Sequence, residues 1–222
     1  MVKAFNFFKR KPGLSVDDFR NYWLNEHAAV IRAIPELRKY VAAIRLLSAY
    51  RNHEPLYDGI SEAWFDDEAV LRATADAAPR RAAKADDAKF VDMSKTGSII
   101  VDEIVQKAGT PPGDGAVKMF SMLTRKPGTD VAAFQAYWRT HHGPLAAKIP
   151  QVRRYIQCHV GPSSYAGGAS PRYDGVAELW FDNFNAVRDS GTTDEYRAVR
   201  LDEPKFLTLP FPFLIASEHQ IV

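Results

Sequence analysis

A single cysteine, Cys158, in a chain of 222 residues rules out an internal disulfide framework and any metal site built from several thiolates, and it suits a reducing compartment. No stretch approaches the roughly 18 consecutive apolar residues of a membrane span. Met1 to Phe5 carries no long apolar segment of a secretion signal. The expectation is a cytoplasmic protein with no membrane partner. An excess of one charge is missing too: 29 basic and 27 acidic side chains are mixed along the chain, which leaves no electrostatic footprint for nucleic acid. Phosphate-binding and dinucleotide glycine motifs, the HExxH zinc signature and the nucleophile elbow are all absent. Cofactor-free chemistry, or no chemistry, is what these absences leave, so no cofactor and no metal are expected.

What is present is a soluble globular composition, 46% apolar and 25% charged, and an internal repeat. Arg10-Lys11-Pro12-Gly13 recurs as Arg125-Lys126-Pro127-Gly128. The same offset of 115 carries Phe19, Tyr22, Trp23 and His27 to Phe134, Tyr137, Trp138 and His142, and Tyr40 to Tyr155. One inserted residue later, an offset of 116 carries Tyr57-Asp58-Gly59 to Tyr173-Asp174-Gly175, Glu62 to Glu178 and Trp64-Phe65-Asp66 to Trp180-Phe181-Asp182. A period this long is too large for a solenoid, so each copy should be a complete domain: residues 1–106 and 116–222, joined by a Gly/Pro-rich linker over 107–115.

Each copy reads strand, helix, strand, strand, helix, strand. The first strands are Val2 to Phe8 and Val117 to Leu123. The next helices are capped by Ser15 and Asp130, with Val16, Phe19, Trp23 and Val30 on one stripe and Val131, Phe134, Trp138 and Leu145 on its counterpart. Strands are expected over Arg38 to Leu46, Tyr57 to Phe65 and Ser98 to Val105, then over Arg153 to Val160, Tyr173 to Phe181 and Leu214 to Val222, with Asp66 and Asp182 opening the second helices. The order βαββαβ is ferredoxin-like. The fold class is therefore α+β, two tandem ferredoxin-like modules expected to pack as a pseudo-two-fold dimeric α/β barrel, an intramolecular pseudo-dimer with a further homodimer left open.

Period-two counting places Tyr155, Gln157 and His159 on one strand face and Glu178 with Trp180 on one face of the next. His219 on the last strand stands where copy one has Glu103. A mid-strand glutamate is costly to bury alone, so Glu62 and Glu178 are either structural partners of Arg38 and Arg153, or of a tyrosine, or general acids or bases. His27 and His142, near a helix C-terminus, are either dipole-stabilised or proton carriers, since imidazole titrates near neutrality. Trp138 and Trp180 read as core against which a flat ligand can stack. Cys158 reads as core, and Arg80-Arg81 as solvated surface.

Lys11-Pro12-Gly13, Phe19-x-x-Tyr22-Trp23-x-x-x-His27, Pro35-x-x-Arg38-x-Tyr40, Tyr57-Asp58-Gly59 and Glu62-x-Trp64-Phe65 resemble modules of the EthD family, in the dimeric α/β-barrel superfamily. The second copy is the closer match, with His142-Gly143-Pro144-Leu145 and Tyr155-Ile156-Gln157-Cys158-His159. Some members of that family act as dehydratases or cyclases, and the module is also similar to 4-methylmuconolactone methylisomerase. The resemblance implies a cofactor-independent isomerase or lyase for a small aromatic, lactone or polyketide-like substrate. It implies His142 as proton shuttle and Tyr155 as hydrogen-bond donor to an enolate or carbonyl oxygen, supported by Glu178 and His159. Trp138, Gln157, Trp180 and His219 would contact the ligand. His27, Tyr40 and Glu62 are the copy-one equivalents, where Ala28-Ala29 replaces Gly-Pro and no counterpart of Gln157 or His159 exists. A non-catalytic small-molecule-binding or accessory protein is the competing reading, and haem-dependent chemistry a third, because distant relatives of the fold bind haem.

Overall fold

The computed structural model describes residues 1–50, 54–110 and 113–222. The chain is α+β and divides into two units, Met1–Val101 with Ala216–Val222, and Asp102–Ile215. The Gly/Pro-rich segment read as a linker includes Pro111 and Pro112, which lie outside the described residues. Its first residue, Lys107, ends a strand.

In the first unit β1 (Val2–Phe8), α1 (Val16–Tyr22), α2 (Ala28–Arg32), β2 (Lys39–Arg45), β3 (Gly59–Phe65), α3 (Glu68–Ala73), α4 (Ala78–Phe90) and the start of β4 (Gly97–Lys107) follow the ferredoxin-like order. The strands lie β4-β1-β3-β2, all antiparallel. The last residues of the chain add a further antiparallel strand to β2, with Ala42 opposite His219.

The second unit repeats the plan with β5 (Val117–Leu123), α5 (Val131–Tyr137), α6 (Gly143–Ala147), β6 (Arg154–Val160), β7 (Gly175–Phe181), α7 (Phe184–Ser190), α8 (Asp194–Asp202) and the start of β8 (Phe213–Gln220). Its strand order is β8-β5-β7-β6, with the end of β4 beside β6.

The expected caps form: Ser15 Oγ accepts the Asp18 backbone N–H, and Asp130 accepts from Ala132 and Ala133. Between α1 and α2 the helix widens into a π-turn, Trp23–His27, and between α5 and α6 into another, Trp138–His142. The helices do not stop there. His27 and His142 therefore sit in mid-helix, and the dipole reading of these histidines fails because a further turn follows each.

Asp66 and Asp182 do not cap the next helices. Asp67 and Asn183 do, accepting from the backbone of Val70 and Ala186. The two aspartates instead pair with Arg38 and Arg153 on the surface, each at 2.5 Å. That removes Arg38 and Arg153 as partners of the buried glutamates.

Much of the repeated signature is scaffold. Asp58, fully buried, accepts the Arg10 backbone N–H at 2.8 Å and pairs with the Arg10 guanidinium; Asp174 does the same for Arg125. The glycine that follows lets a tryptophan approach: a Cβ on Gly59 would collide with the Trp23 ring and lie 2.9 Å from the Ala43 carbonyl. One on Gly175 would lie 2.5 Å from Trp138 and 2.7 Å from the Cys158 carbonyl.

Candidate active site

Each unit has a cavity between its sheet and its helices. In the second unit it measures about 280 Å³ and is lined by Met119, Ser121, Ala177 and Leu179 from the sheet, with Trp138, His142, Tyr155, Arg200 and Glu203 among the other walls. The β7 residues that line it are odd-numbered, so the even-numbered Glu178 and Trp180 project from the opposite face.

His142 is buried, and its Nδ1 lies 3.0 Å from Oδ2 of Asp202. The other oxygen of Asp202 accepts from Tyr137 Oη at 2.8 Å and from Lys205 Nζ at 3.1 Å. Burial of the carboxylate would raise its pKa, but the hydrogen bonds from Tyr137, Lys205 and His142 outweigh it and hold Asp202 below the usual range. An ionised acceptor fixes the proton of His142 on Nδ1 and leaves Nε2 as the basic nitrogen. Burial also pushes the His142 pKa down against the pull of Asp202, so the ring is neutral near pH 7.

Tyr155 lines the same cavity. Its hydroxyl accepts from Trp138 Nε1 at 3.0 Å and from Gln157 Nε2 at 3.1 Å. With both acceptor positions used, the remaining capacity of the group is to donate its own proton. Burial raises its pKa and keeps it protonated.

Trp138, His142 and Tyr155 are thus brought together as expected, and four of the other candidates are not. Glu178 lies on the far face in a salt bridge with Lys118 at 2.6 Å, and the Cys158 thiol donates to it at 3.3 Å. Trp180 also lies there, with the Lys118 ammonium 4.3 Å from its ring. His159 stacks on Trp138 at 4.4 Å and bonds to Gln157 Oε1 at 3.0 Å. Burial drives its pKa down to about 4, so it is neutral and supports Gln157 from behind the cavity wall. His219 belongs to the first unit, beside β2, with Ser217 as its partner. Gln157 keeps a supporting role: its Nε2 bonds the Trp138 carbonyl at 2.8 Å as well as Tyr155. Gly143 makes room for it, since a Cβ there would fall 2.7 Å from that nitrogen. Copy one has Ala28 and Ala42 at these two places.

The first unit repeats the anchor. His27 Nδ1 is 2.8 Å from Asp86, which also accepts from Tyr22 at 2.9 Å and Lys89 at 2.7 Å, and Trp23 donates to Tyr40 at 3.2 Å. His27 and Tyr40 line a cavity of about 450 Å³. Glu62 does not; it pairs with Lys3 at 2.5 Å on the other face. Arg80, expected on the surface, lines this cavity and lies over the Phe65 ring at 4.9 Å.

Asp86, Asp202, Lys3 and Lys118 escaped the sequence reading, although each pair obeys the repeat, Lys3 to Lys118 at 115 and Asp86 to Asp202 at 116. Among the described residues one trio of metal-type ligands converges, Glu103, Cys158 and Glu178; Glu178 faces away from the cavity. No helix among these residues is long and apolar enough to cross a membrane.

The EthD domain model matches residues 11–94 and again 126–210. The chain belongs to the EthD family, as a tandem of two domains. No curated protein gives a significant match. Among solved structures, an anthrone oxidase-like protein superposes with a TM-score of 0.67 at 9% identity, over 99% of this chain and 93% of that one. A provisionally assigned chlorite dismutase gives 0.58 at 13% identity, over 99% and 95%. A provisionally assigned monooxygenase from Lactobacillus acidophilus NCFM gives 0.56 at 11%, over 100% and 94%. At these identities the likeness is one of fold.

Proposed function

We propose that the chain is a cofactor-independent acid–base enzyme of the isomerase, dehydratase or cyclase type, acting on a small aromatic, lactone or polyketide-like substrate in the second-unit cavity. The observation that carries this is the Asp202–His142 pair, which presents a neutral imidazole with its basic Nε2 in a largely apolar cavity that Tyr155 also lines. A ring compound would fill it: about 280 Å³ lies at the small end of ligand pockets. His142 would take a proton from a carbon next to a carbonyl, and the Tyr155 hydroxyl would donate a hydrogen bond to the oxygen on which charge develops. Glu178 has no part in this step, since it faces away.

The residues do not fit a haem. Among the described residues Arg200 is the only Lys or Arg lining the second-unit cavity, and it is already paired with Glu203, which leaves two propionates without a partner there. In the first unit the nitrogen left for an axial bond, His27 Nε2, has Asp87 at 3.4 Å.

Turnover of aromatic lactones and linear polyketide mimics in chelator-treated buffer tests the proposal. Activity that survives exhaustive EDTA treatment and falls with His142→Gln is expected. Tight binding without turnover would favour the accessory-protein reading, and loss of turnover on EDTA restored by a metal would defeat the mechanism.

A further inference from the structure

One helical turn separates the two cavities chemically. At an offset of 116, Lys84 and Asp87 of α4 correspond to Arg200 and Glu203 at the end of α8. In the second unit these side chains close on each other as an ion pair. In the first unit Asp87 instead turns to the imidazole, its Oδ1 standing 3.4 Å from His27 Nε2, while Asp86 holds Nδ1 from the other side. A base and a carboxyl group therefore stand side by side on the wall of the larger cavity, about 450 Å³.

Other charged and titratable groups around the pair are Asp86 and Lys89 on α4, Tyr22 on α1 and Tyr40 on β2, with Arg72 of α3 and Arg80 and Lys84 of α4 also lining the cavity. Burial, with the neighbouring Asp86 carboxylate adding to it, raises Asp87 to about 7. The carboxyl group is thus substantially protonated near neutrality, while burial keeps His27 below its ordinary value and neutral. Opposite shifts, the carboxyl group raised and the imidazole lowered, give one pocket a protonated acid beside a neutral base.

We propose that the first unit carries an acid–base site of its own, in which His27 Nε2 accepts and Asp87 donates a proton to an enolisable carbonyl compound. This rests on the same acid–base reading as the second-unit site, but on different residues. In the forward step Nε2 takes the proton of the carbon beside the carbonyl. The C–H electron pair becomes the C=C bond, the carbonyl π pair moves to oxygen, and that oxygen takes the proton of Asp87. The products are an enol, an imidazolium and a carboxylate. Reversal returns a proton to carbon, and no oxidant, metal or cofactor enters the balance. Asn6, which lines the cavity, and Tyr40 supply further polar contacts for the ligand.

The probe is 2-tetralone in D₂O, with exchange at its benzylic α-carbon followed by proton NMR on the full chain. A His142→Gln background silences the second-unit base. Exchange above buffer should persist there, fall by about tenfold or more when Asp87→Asn or His27→Gln is added, and survive Asp87→Glu. Its rate should decline above about pH 7 as Asp87 loses its proton, and Asp87→Glu should displace that limb. If Asp87→Asn lowers Tm, the Asp87→Glu protein decides. Exchange indifferent to Asp87→Asn overturns the inference. Exchange abolished by His142→Gln alone overturns it while the second-unit reading stands. No exchange by the wild-type chain overturns it for this ligand class, and the lactone and polyketide assays then judge the second-unit reading separately.

Discussion

The two copies agree closely where side chains hold the fold and part company where they meet a cavity. His27 and His142 are anchored by the same aspartate, tyrosine and lysine. Lys3–Glu62 and Lys118–Glu178 repeat to 0.1 Å. The tyrosine hydroxyl, by contrast, changes helper. Tyr40 has Ser61 from β3 beside it, while Tyr155 has Gln157 from its own strand, across from Ala177. Carboxyl groups at equivalent helix positions differ too, Asp87 facing the histidine and Glu203 tied to Arg200. Duplication here has preserved the anchor and varied what stands around it.

The largest expected effect falls on turnover. His142→Gln should lower second-unit activity on the order of 10²–10⁴-fold while Tm changes little, and His27→Gln should leave that activity nearly intact. Equal large losses from both variants on one substrate would mean that the copies are functionally alike.

Next is the salt bridge on the other sheet face. Lys118→Met removes the cation that faces a buried carboxylate and should cost about 3–5 kcal/mol in denaturant melts. Lys3→Met should cost the same, because the pairs are equivalent. A difference of more than about 1.5 kcal/mol between the two would break the symmetry argued from their geometry.

A smaller effect belongs to copy two alone. His159 is held near 4 when folded and titrates near 6.5 when unfolded. The unfolded chain therefore binds the extra proton first, and the contribution of this group is fully present above about pH 6.5 and lost as pH falls toward 4. The loss amounts to about 3 kcal/mol. His159→Ile, the residue copy one carries as Ile44, should flatten that part of the stability–pH curve. His27 and His142, both also depressed by burial, leave a residual slope of the same sign.

The smallest effect sharpens the comparison most. Gly143→Ala imports the copy-one residue and must displace the amides of both Gln106 and Gln157, whose nearest atoms would lie 2.5 and 2.7 Å from the new Cβ, at a cost of about 1 kcal/mol for the hydrogen bonds disturbed. Adding Gln157→Ala, which restores the Ala28/Ala42 combination, should recover part of it, by removing one clash and freeing Gln106, which donates to Gln157 Oε1, to move. Additive losses in calorimetry would show that the two positions are independent.

The element order, the Ser15 and Asp130 caps and the tandem organisation were legible in the sequence because they depend on local pattern and on rare residues recurring in register. The pairing of Trp138 with Tyr155 was within reach for the same reason, one residue lying on the apolar stripe and the other on a strand face. Glu178 was misplaced because alternation sorts residues within a strand but does not say which face of one strand adjoins which face of the next. The register does: Ile156 stands opposite Glu178 and Tyr155 opposite Leu179. Asp202 was missed because its partner lies 60 positions earlier, a distance over which composition carries no signal. His219 was assigned to the wrong neighbourhood since the strand that carries it ends in the first unit.

The π-turns carry a consequence of their own. Each holds one residue more than an α-helical turn needs, and the wider turn absorbs it, so the helix beyond faces as it would in an α-helix one residue shorter. Wound instead as regular α-helix, the same residues would advance by up to about 100° after the turn. The imidazole of His142 would swing around the axis away from Asp202, and Ala146, now buried, would rotate toward solvent. A widened turn, ordinarily a lesion in a helix, is here what aims the base.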